Sequence, residues 1–172
     1  QADLDEMERL IDAFLDFARA DATEAPEEID LRQLILAAKE RAERVGGVVE
    51  IGAMPDEEVR LKARPAALSR ALDNLLSNAR RYGTRSRVSL ALFDRAVVIS
   101  VEDDGPGIDP EARARALQPF VRLDAARNQN LGSGVGLGLA IAHDVARRHG
   151  GTLRLGKSEA LGGLKADLVL AR

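Results

Sequence analysis

Between positions 132 and 139 the chain reads Gly-Ser-Gly-Val-Gly-Leu-Gly-Leu, with glycine at every second position, and runs straight into an apolar helical pattern. Such a run can be neither a stable strand nor a helix interior, because glycine loses more backbone freedom on ordering than any other residue. Its bare amides, together with the N-terminus of the helix that follows, can instead cradle an anion such as a phosphate. A flexible linker is the plain alternative, but linkers do not usually alternate glycine with Val and Leu and then open a helix. That helix is expected from Leu137 to His149, closed by Gly150 and Gly151 in the manner of a C-cap.

The rest of the pattern supplies a scaffold for such a loop. Asp30 reads as the N-cap of a helix from Leu31 to Val45, and Pro65 as a first-turn residue of a helix reaching about Tyr82. Short strands are expected at Val48–Ile51 and Val59–Leu61, a hairpin at 88–93 and 96–101 around Asp94 and Arg95, and closing strands at 152–155 and 164–170. A short helix is expected from Pro110 to Leu117, followed by a polar, aperiodic stretch from Arg122 to Ser133. Segregated helices and mostly hairpin-linked strands define an α+β fold, a two-layer α/β sandwich whose mixed sheet is covered on one face by helices. At 172 residues and 45% hydrophobic the chain can bury a real core. Its net charge of −3 offers no basic field for nucleic acid. With no cysteine there is no disulfide framework or thiolate metal site, which suits a reducing compartment.

The N-terminal stretch differs. Leu4, Met7, Ile11, Phe14 and Ala18 recur at alternating spacings of three and four among charged residues. A terminal helix lying on its own domain is one reading, but the narrow stripe favours a helix from a helical hairpin or dimer, since a helix covering a core usually shows a wider one. An acidic segment around Pro26 reads as a linker. The expected division is therefore a bundle helix at 1–20, a linker at 21–28 and a globular domain at 29–172.

Three groups of residues are candidates for chemistry, although by itself the first also reads as a solvated helix face and the second as a plain β-turn. On the helix 65–82, Asn74, Asn78 and Arg81 stand at i, i+4 and i+7, on a face apart from the apolar stripe of Leu68, Ala71, Leu72, Leu75, Leu76 and Ala79. An Asn amide oxygen is a suitable hard ligand for Mg²⁺, and Arg suits phosphate oxygens. Tyr82 could offer its ring to a base. Asp103-Asp-Gly105-Pro-Gly107-Ile108 follows an apolar strand. Its glycines admit close backbone approach, and Asp103 can accept a hydrogen bond from an exocyclic amine such as that of adenine. The alternating glycines at 132–138 are the third.

Two further patterns are decoys. Residues 151–158 match the literal Gly-x4-Gly-Lys-Ser phosphate-loop pattern, but the intervening residues alternate like a strand, a helix precedes and none follows, the reverse of what that loop needs. His143-Asp144 lies in a helix interior without the context of a phosphorylated histidine, and His149 reads as a packing or surface residue.

In this order the segments resemble the histidine-kinase branch of the superfamily that also holds gyrase, Hsp90 and MutL. Residues 72–83 are similar to its N box, 103–108 to its first glycine box, Phe120-Val-Arg122 to its F box and 134–139 to its second glycine box. The phrases Glu-Asp-Asp-Gly-Pro-Gly-Ile and Gln-Pro-Phe-Val-Arg, with the N-terminal Leu-Ile-Asp-Ala-Phe-Leu-Asp-Phe-Ala-Arg, resemble EnvZ-like osmosensor kinases. The resemblance implies ATP and Mg²⁺ as cofactors. It implies Asn78 on the metal, Asn74 supporting the metal and phosphate region, Arg81 on phosphate, Tyr82 on the adenine and Asp103 on its amino group. Gly105, Gly107, Ile108 and Leu123 would belong to the ATP site, and Arg122 would reach ATP from the lid between the F box and the second glycine box, with Arg127 as a second phosphate contact. Gly134, Val135, Gly136, Leu137, Gly138 and Leu139 would wrap the triphosphate, Val135 standing where the family often has Thr.

The implied reaction is transfer of the γ-phosphate to a histidine on the kinase's own dimerisation domain, in a homodimer that signals to a response regulator. The implied location is the cytoplasmic side of a bacterial inner membrane. Since neither histidine has the acceptor's context, and the chain starts at Gln1 like an excised piece, the acceptor and any membrane segments are expected outside it. The rivals are an ATP-hydrolysing clamp, a serine kinase acting on anti-anti-sigma factors, and a nucleotide-free regulatory module. The first needs a Glu one turn before the metal-binding Asn, where this chain has Asn74, an amide unable to take a proton from water.

Overall fold

The computed structural model describes residues 24–118 and 138–172, and within the N-terminal stretch the helical positions 4, 7, 8, 11, 12 and 15. In those residues β1 (Glu27–Asp30) leads into α1 (Leu31–Arg44), followed by β2 (Val49–Ile51), β3 (Arg60–Ala63) and α2 (Pro65–Tyr82). Next come the hairpin β4 (Ser86–Leu92) and β5 (Ala96–Asp103), a 3-10 turn (Pro110–Ala112) and α3 (Arg113–Ala116). α4 (Gly138–Arg148), β6 (Thr152–Lys157) and β7 (Leu164–Ala171) complete the order.

Five strands form one mixed sheet in the order β2-β4-β5-β7-β6, in which only β2 and β4 run parallel. Side-chain alternation decides which face is covered. Leu164, Ala166, Leu168 and Leu170 of β7 are buried, while Lys165, Asp167 and Val169 between them are half-exposed. The buried set meets the apolar stripes of α2 and α4, with α1 stacked on α2. On the opposite face Ser100 Oγ donates to Asp167 Oδ1 at 2.6 Å across the β5–β7 pair. The α+β two-layer sandwich expected from the sequence is the fold observed.

The helix bounds follow local chemistry. Asp30 caps α1 by accepting from Arg32 N–H at 3.0 Å and Gln33 N–H at 3.4 Å, as Asp does at helix starts. Pro65 stands in the first turn of α2, which ends at Tyr82 before Gly83.

One element departs from the sequence reading. The stretch read as linker through Glu28 ends in strand β1 from Glu27, paired antiparallel with β3 in the register Glu27↔Ala63 to Asp30↔Arg60, a two-stranded ribbon apart from the main sheet. The ribbon brings Glu24 to the start of α2. There its carboxylate accepts from Ala66 N–H at 2.8 Å and Ala67 N–H at 3.1 Å, and its carbonyl accepts from Arg64 Nε at 2.9 Å. The N-cap residue Arg64 makes no side-chain cap of its own, so Glu24 supplies the acceptor from a distant part of the chain and adds favourable charge at the helix N-terminus. Beside it, His149 Nδ1 donates to Val145 O at 2.7 Å and Nε2 accepts from Arg64 N–H at 3.1 Å. His149 is thus a packing histidine that joins the end of α4 to the start of α2.

Candidate nucleotide site along helix α2

α2 buries Leu68, Ala71, Leu72, Leu75, Leu76 and Ala79 and leaves Asn74, Asn78, Arg81 and Tyr82 half-buried on its other flank. Asn74 Nδ2 donates to Arg70 O at 2.9 Å, which fixes the amide and frees Oδ1 as an acceptor. Asn78 and Arg81 have no hydrogen-bond partner among the described residues. A half-buried guanidinium and a half-buried amide without partners are a standing electrostatic demand for an oxygen-rich ligand.

A helix N-terminus meets this flank at one end and a loop at the other. At the Asn74 end stands Gly138, the first residue of α4. A methyl group built on it would lie 3.8 Å from Asn74 O and 4.0 Å from Asn74 Oδ1. The N-terminus of α4 therefore opens beside Asn74. At the Tyr82 end lies the loop after β5. A methyl group on Gly105 would come within 2.6 Å of Tyr82 O, so the Asp-x-Gly spacing is a packing requirement. Gly107 sits at φ 74°, a left-handed conformation suited to glycine. Ile108 packs on the edge of the core, its carbonyl accepting from Arg113 Nε at 3.1 Å.

Asp103 ends β5 and is 4% exposed, the one ionisable residue among the buried described residues. Its Oδ1 accepts from Gly105 N–H at 2.9 Å and Leu164 N–H at 3.1 Å. Burial pushes its carboxyl above the ordinary range, against the two backbone donors that pull it down, and the neighbouring Asp104 adds a smaller upward push. Oδ2 accepts no hydrogen bond within the described protein. A buried carboxylate with one oxygen saturated and the other free is a selective acceptor for an incoming N–H donor.

Asp104 plays a different part, which the sequence reading did not give it. It accepts from Thr84 Oγ1, from Thr84 N–H at 2.7 Å and from Arg85 N–H at 3.1 Å, fastening the end of α2 to the loop after β5. These bonds favour the ionised form and hold its carboxyl at about 2. Against an unfolded carboxylate near ~3.9, that depression stabilises the fold at pH above 4 and is lost as pH falls from about 4 towards about 2. Asp104→Asn is expected to lower the melting temperature at pH 7 and flatten its decline below pH 4, measured by circular dichroism. An unchanged acid limb would refute the assignment.

Asp73 next to Asn74 faces elsewhere. Arg41 Nε and Nη2 reach it at 3.0–3.2 Å, and both residues line a cavity of about 260 Å³ together with Ser77 and Arg80. That cavity contains none of the site residues expected from the sequence. The decoys resolve as expected. Thr152–Lys157 is a strand, and Ser158 Oγ donates to Glu102 Oε2 at 2.7 Å. His143 packs beside Thr152, and Asp144 pairs with Arg148. Phe120, Arg122, Leu123, Arg127, Gly134, Val135, Gly136 and Leu137 lie outside the described residues, whereas Gly138 and Leu139 open α4.

A buried carboxylate and a helix N-terminus thus bracket the Asn/Arg-bearing flank of α2 in this α+β domain. The chain belongs to the histidine kinase-, DNA gyrase B- and HSP90-like ATPase family, whose profile matches residues 63–171. Among curated proteins it is similar to the sensor protein RstB of Escherichia coli K12, 39% identical over 95% of this chain and 38% of RstB, so it spans under two fifths of that relative's length. Among solved structures it is similar to full-length ShkA in complex with AMPPNP, with TM-score 0.73, 26% identity, and coverage of 98% of this chain and 37% of ShkA. It is also similar to the histidine kinase domain of the Escherichia coli osmosensor EnvZ, with TM-score 0.64, 38% identity, and coverage of 87% of this chain and 91% of that one.

Proposed function

We propose that this chain is the ATP-binding catalytic part of a sensor histidine kinase, binding MgATP and presenting its γ-phosphate to a histidine on the kinase's own dimerisation domain. The observation that carries the reading is Asp103, a buried carboxylate with a free oxygen at the Tyr82 end of the α2 flank. With Asp103 on the adenine amine and Tyr82 against the ring, the phosphates run along Asn78 and Arg81 towards the N-terminus of α4 at Gly138. Positive potential then meets negative charge at that end.

The donor set fits Mg²⁺. Asn74 has its amide nitrogen committed to Arg70 O, leaving the hard oxygen outward, and Asn78 stands one turn on without a side-chain partner among the described residues. Asn78 would hold the ion with Asn74 in support, and the ion would neutralise charge on the phosphates. Arg81 orients and neutralises a phosphate oxygen. Burial at Asp103 excludes water from the base, and among the described residues no carboxylate on this flank is placed to activate water for hydrolysis, since Asp73 is engaged by Arg41 on the other side.

In the whole protein, residues 1–20 would be the end of the second dimerisation helix. The chain at 21–28 would link it to the catalytic domain at 29–172. Exposure of Leu4, Met7, Ile11 and Leu15 supports a helix whose apolar seam awaits a partner helix. The product phosphohistidine would pass its group to a response regulator on the cytoplasmic side of an inner membrane. No helix of the described residues is long and apolar enough to cross a membrane.

Calorimetric titration with a non-hydrolysable ATP analogue tests the reading. Binding is expected to tighten with Mg²⁺, and Asn78→Ala to remove roughly tenfold or more of that gain, the loss of one charge-assisted contact. Binding indifferent to both would overturn it.

A further inference from the structure

We infer that the turn between β6 and β7 is a positioning element for the nucleotide base, with Gly163 setting the orientation of the Asp103 carboxylate. The inference rests on the reading of Asp103 as the acceptor for the adenine amine.

Residues 158–163 fold back under the end of β5. Gly163 N–H donates to Asp103 O at 2.9 Å, and the next amide, Leu164 N–H, donates to Asp103 Oδ1 at 3.1 Å. One short segment thus grips both the backbone and the side chain of Asp103. A side chain at 163 would break the grip. A methyl group there would lie 2.3 Å from Asp103 Oδ1, 2.5 Å from Asp103 O and 2.6 Å from Gly105 N–H nitrogen. Two of those three atoms are backbone and cannot swing aside, so the carboxylate is the part that must move. The constraint is steric rather than conformational, because Gly163 is not among the positive-φ glycines, whereas its neighbour Gly162 is, at φ 91° with open space around it.

Ser158 holds the turn in place. It is fully buried. Its Oγ donates to Glu102 Oε2 at 2.7 Å and accepts from Leu161 N–H at 3.0 Å. Its backbone N–H donates to Gly163 O at 2.7 Å, and its carbonyl accepts from Gly162 N–H at 2.8 Å. Glu102 immediately precedes Asp103, so the turn is tied to β5 at two successive residues. The serine of the misleading Gly-Lys-Ser sequence thus fixes the far side of a base site rather than a phosphate. Gly163 and Ser158 act through Asp103, so they are positioning residues.

The expected consequence is a loss of base selectivity, not of binding in general. Affinity is measured for a non-hydrolysable ATP analogue and for the matching purine ribonucleotide lacking the 6-amino group, in the parent, Gly163→Ala, Ser158→Ala and Asp103→Asn. The parent is expected to favour the amine-bearing nucleotide by roughly 10- to 100-fold, the range of one hydrogen bond to a charged group. Gly163→Ala is expected to weaken that nucleotide alone and bring the ratio near one, and Ser158→Ala to reduce the ratio partway. Gly156→Ala, in open space on β6, is expected to leave it unchanged. If Asp103→Asn collapses the ratio while Gly163→Ala and Ser158→Ala preserve it, or weaken both nucleotides equally, the turn has no positioning role. If Asp103→Asn leaves the ratio intact, the underlying reading of Asp103 fails instead. Should Gly163→Ala not fold, Ser158→Ala decides the matter by the same ratio.

Discussion

Asp103→Asn is expected to weaken adenine nucleotide binding by roughly 10- to 100-fold while leaving the melting temperature of the free protein unchanged or higher. Asn is nearly isosteric, and its Oδ1 can keep the bonds from Gly105 and Leu164 N–H. Its Nδ2 would then face the base as a donor, against another donor. Stability moves the other way because burial disfavours the ionised carboxyl. A carboxyl whose folded value lies above its unfolded one makes folding less favourable as pH rises through that interval, and the neutral amide removes the cost. By the same reasoning, nucleotide affinity of the parent is expected to fall as pH drops towards the raised value, where Asp103 gains a proton. Calorimetry and thermal melting on the same samples check both halves. Wild-type affinity in Asp103→Asn would remove Asp103 from the site.

Leu72→Ala is expected to destabilise the fold by about 2–5 kcal/mol, the range for a fully buried Leu truncated where neighbours cannot collapse. Leu72 is 0% exposed, on the face of α2 that meets the sheet and α4. Against a total of about 5–15 kcal/mol for a domain, this is a large share. It should appear as a melting temperature lowered by roughly 5–15 °C. Nucleotide is expected to restore part of the loss by binding only the folded state. A shift of a degree or two would mean that the stripe on α2 is not packed as described.

Much of this architecture was legible because its signals are local. α2 is bounded by Pro65 and Gly83 and carries an uninterrupted apolar period. α1 begins at an Asp that caps it. β5 and β7 read as alternating or continuous apolar runs. The site residues on α2 follow from the same periodicity, since Asn74, Asn78 and Arg81 fall off the buried stripe. What escaped depends on partners distant in sequence. β1, Glu-Glu-Ile-Asp, has a single apolar residue and exists because β3 pairs with it. Asp104 received no role from the sequence, because its partners Thr84 and Arg85 lie 20 and 19 residues earlier. Gly163 carried only the weak signal of a double glycine before a strand, because its constraint comes from a carboxylate 60 residues earlier.

The contact at Glu24 gives the chain's entry point a mechanical meaning. The incoming segment is moored at the foot of α2 through Ala66, Ala67 and Arg64, and His149 braces the same spot. A helix of 18 residues is a stiff rod of ~27 Å. A torque on the polypeptide before Glu24 would act on one end of a rod whose opposite half carries Asn78 and Tyr82, through the hydrogen bonds at Glu24 and the β1–β3 ribbon beside it.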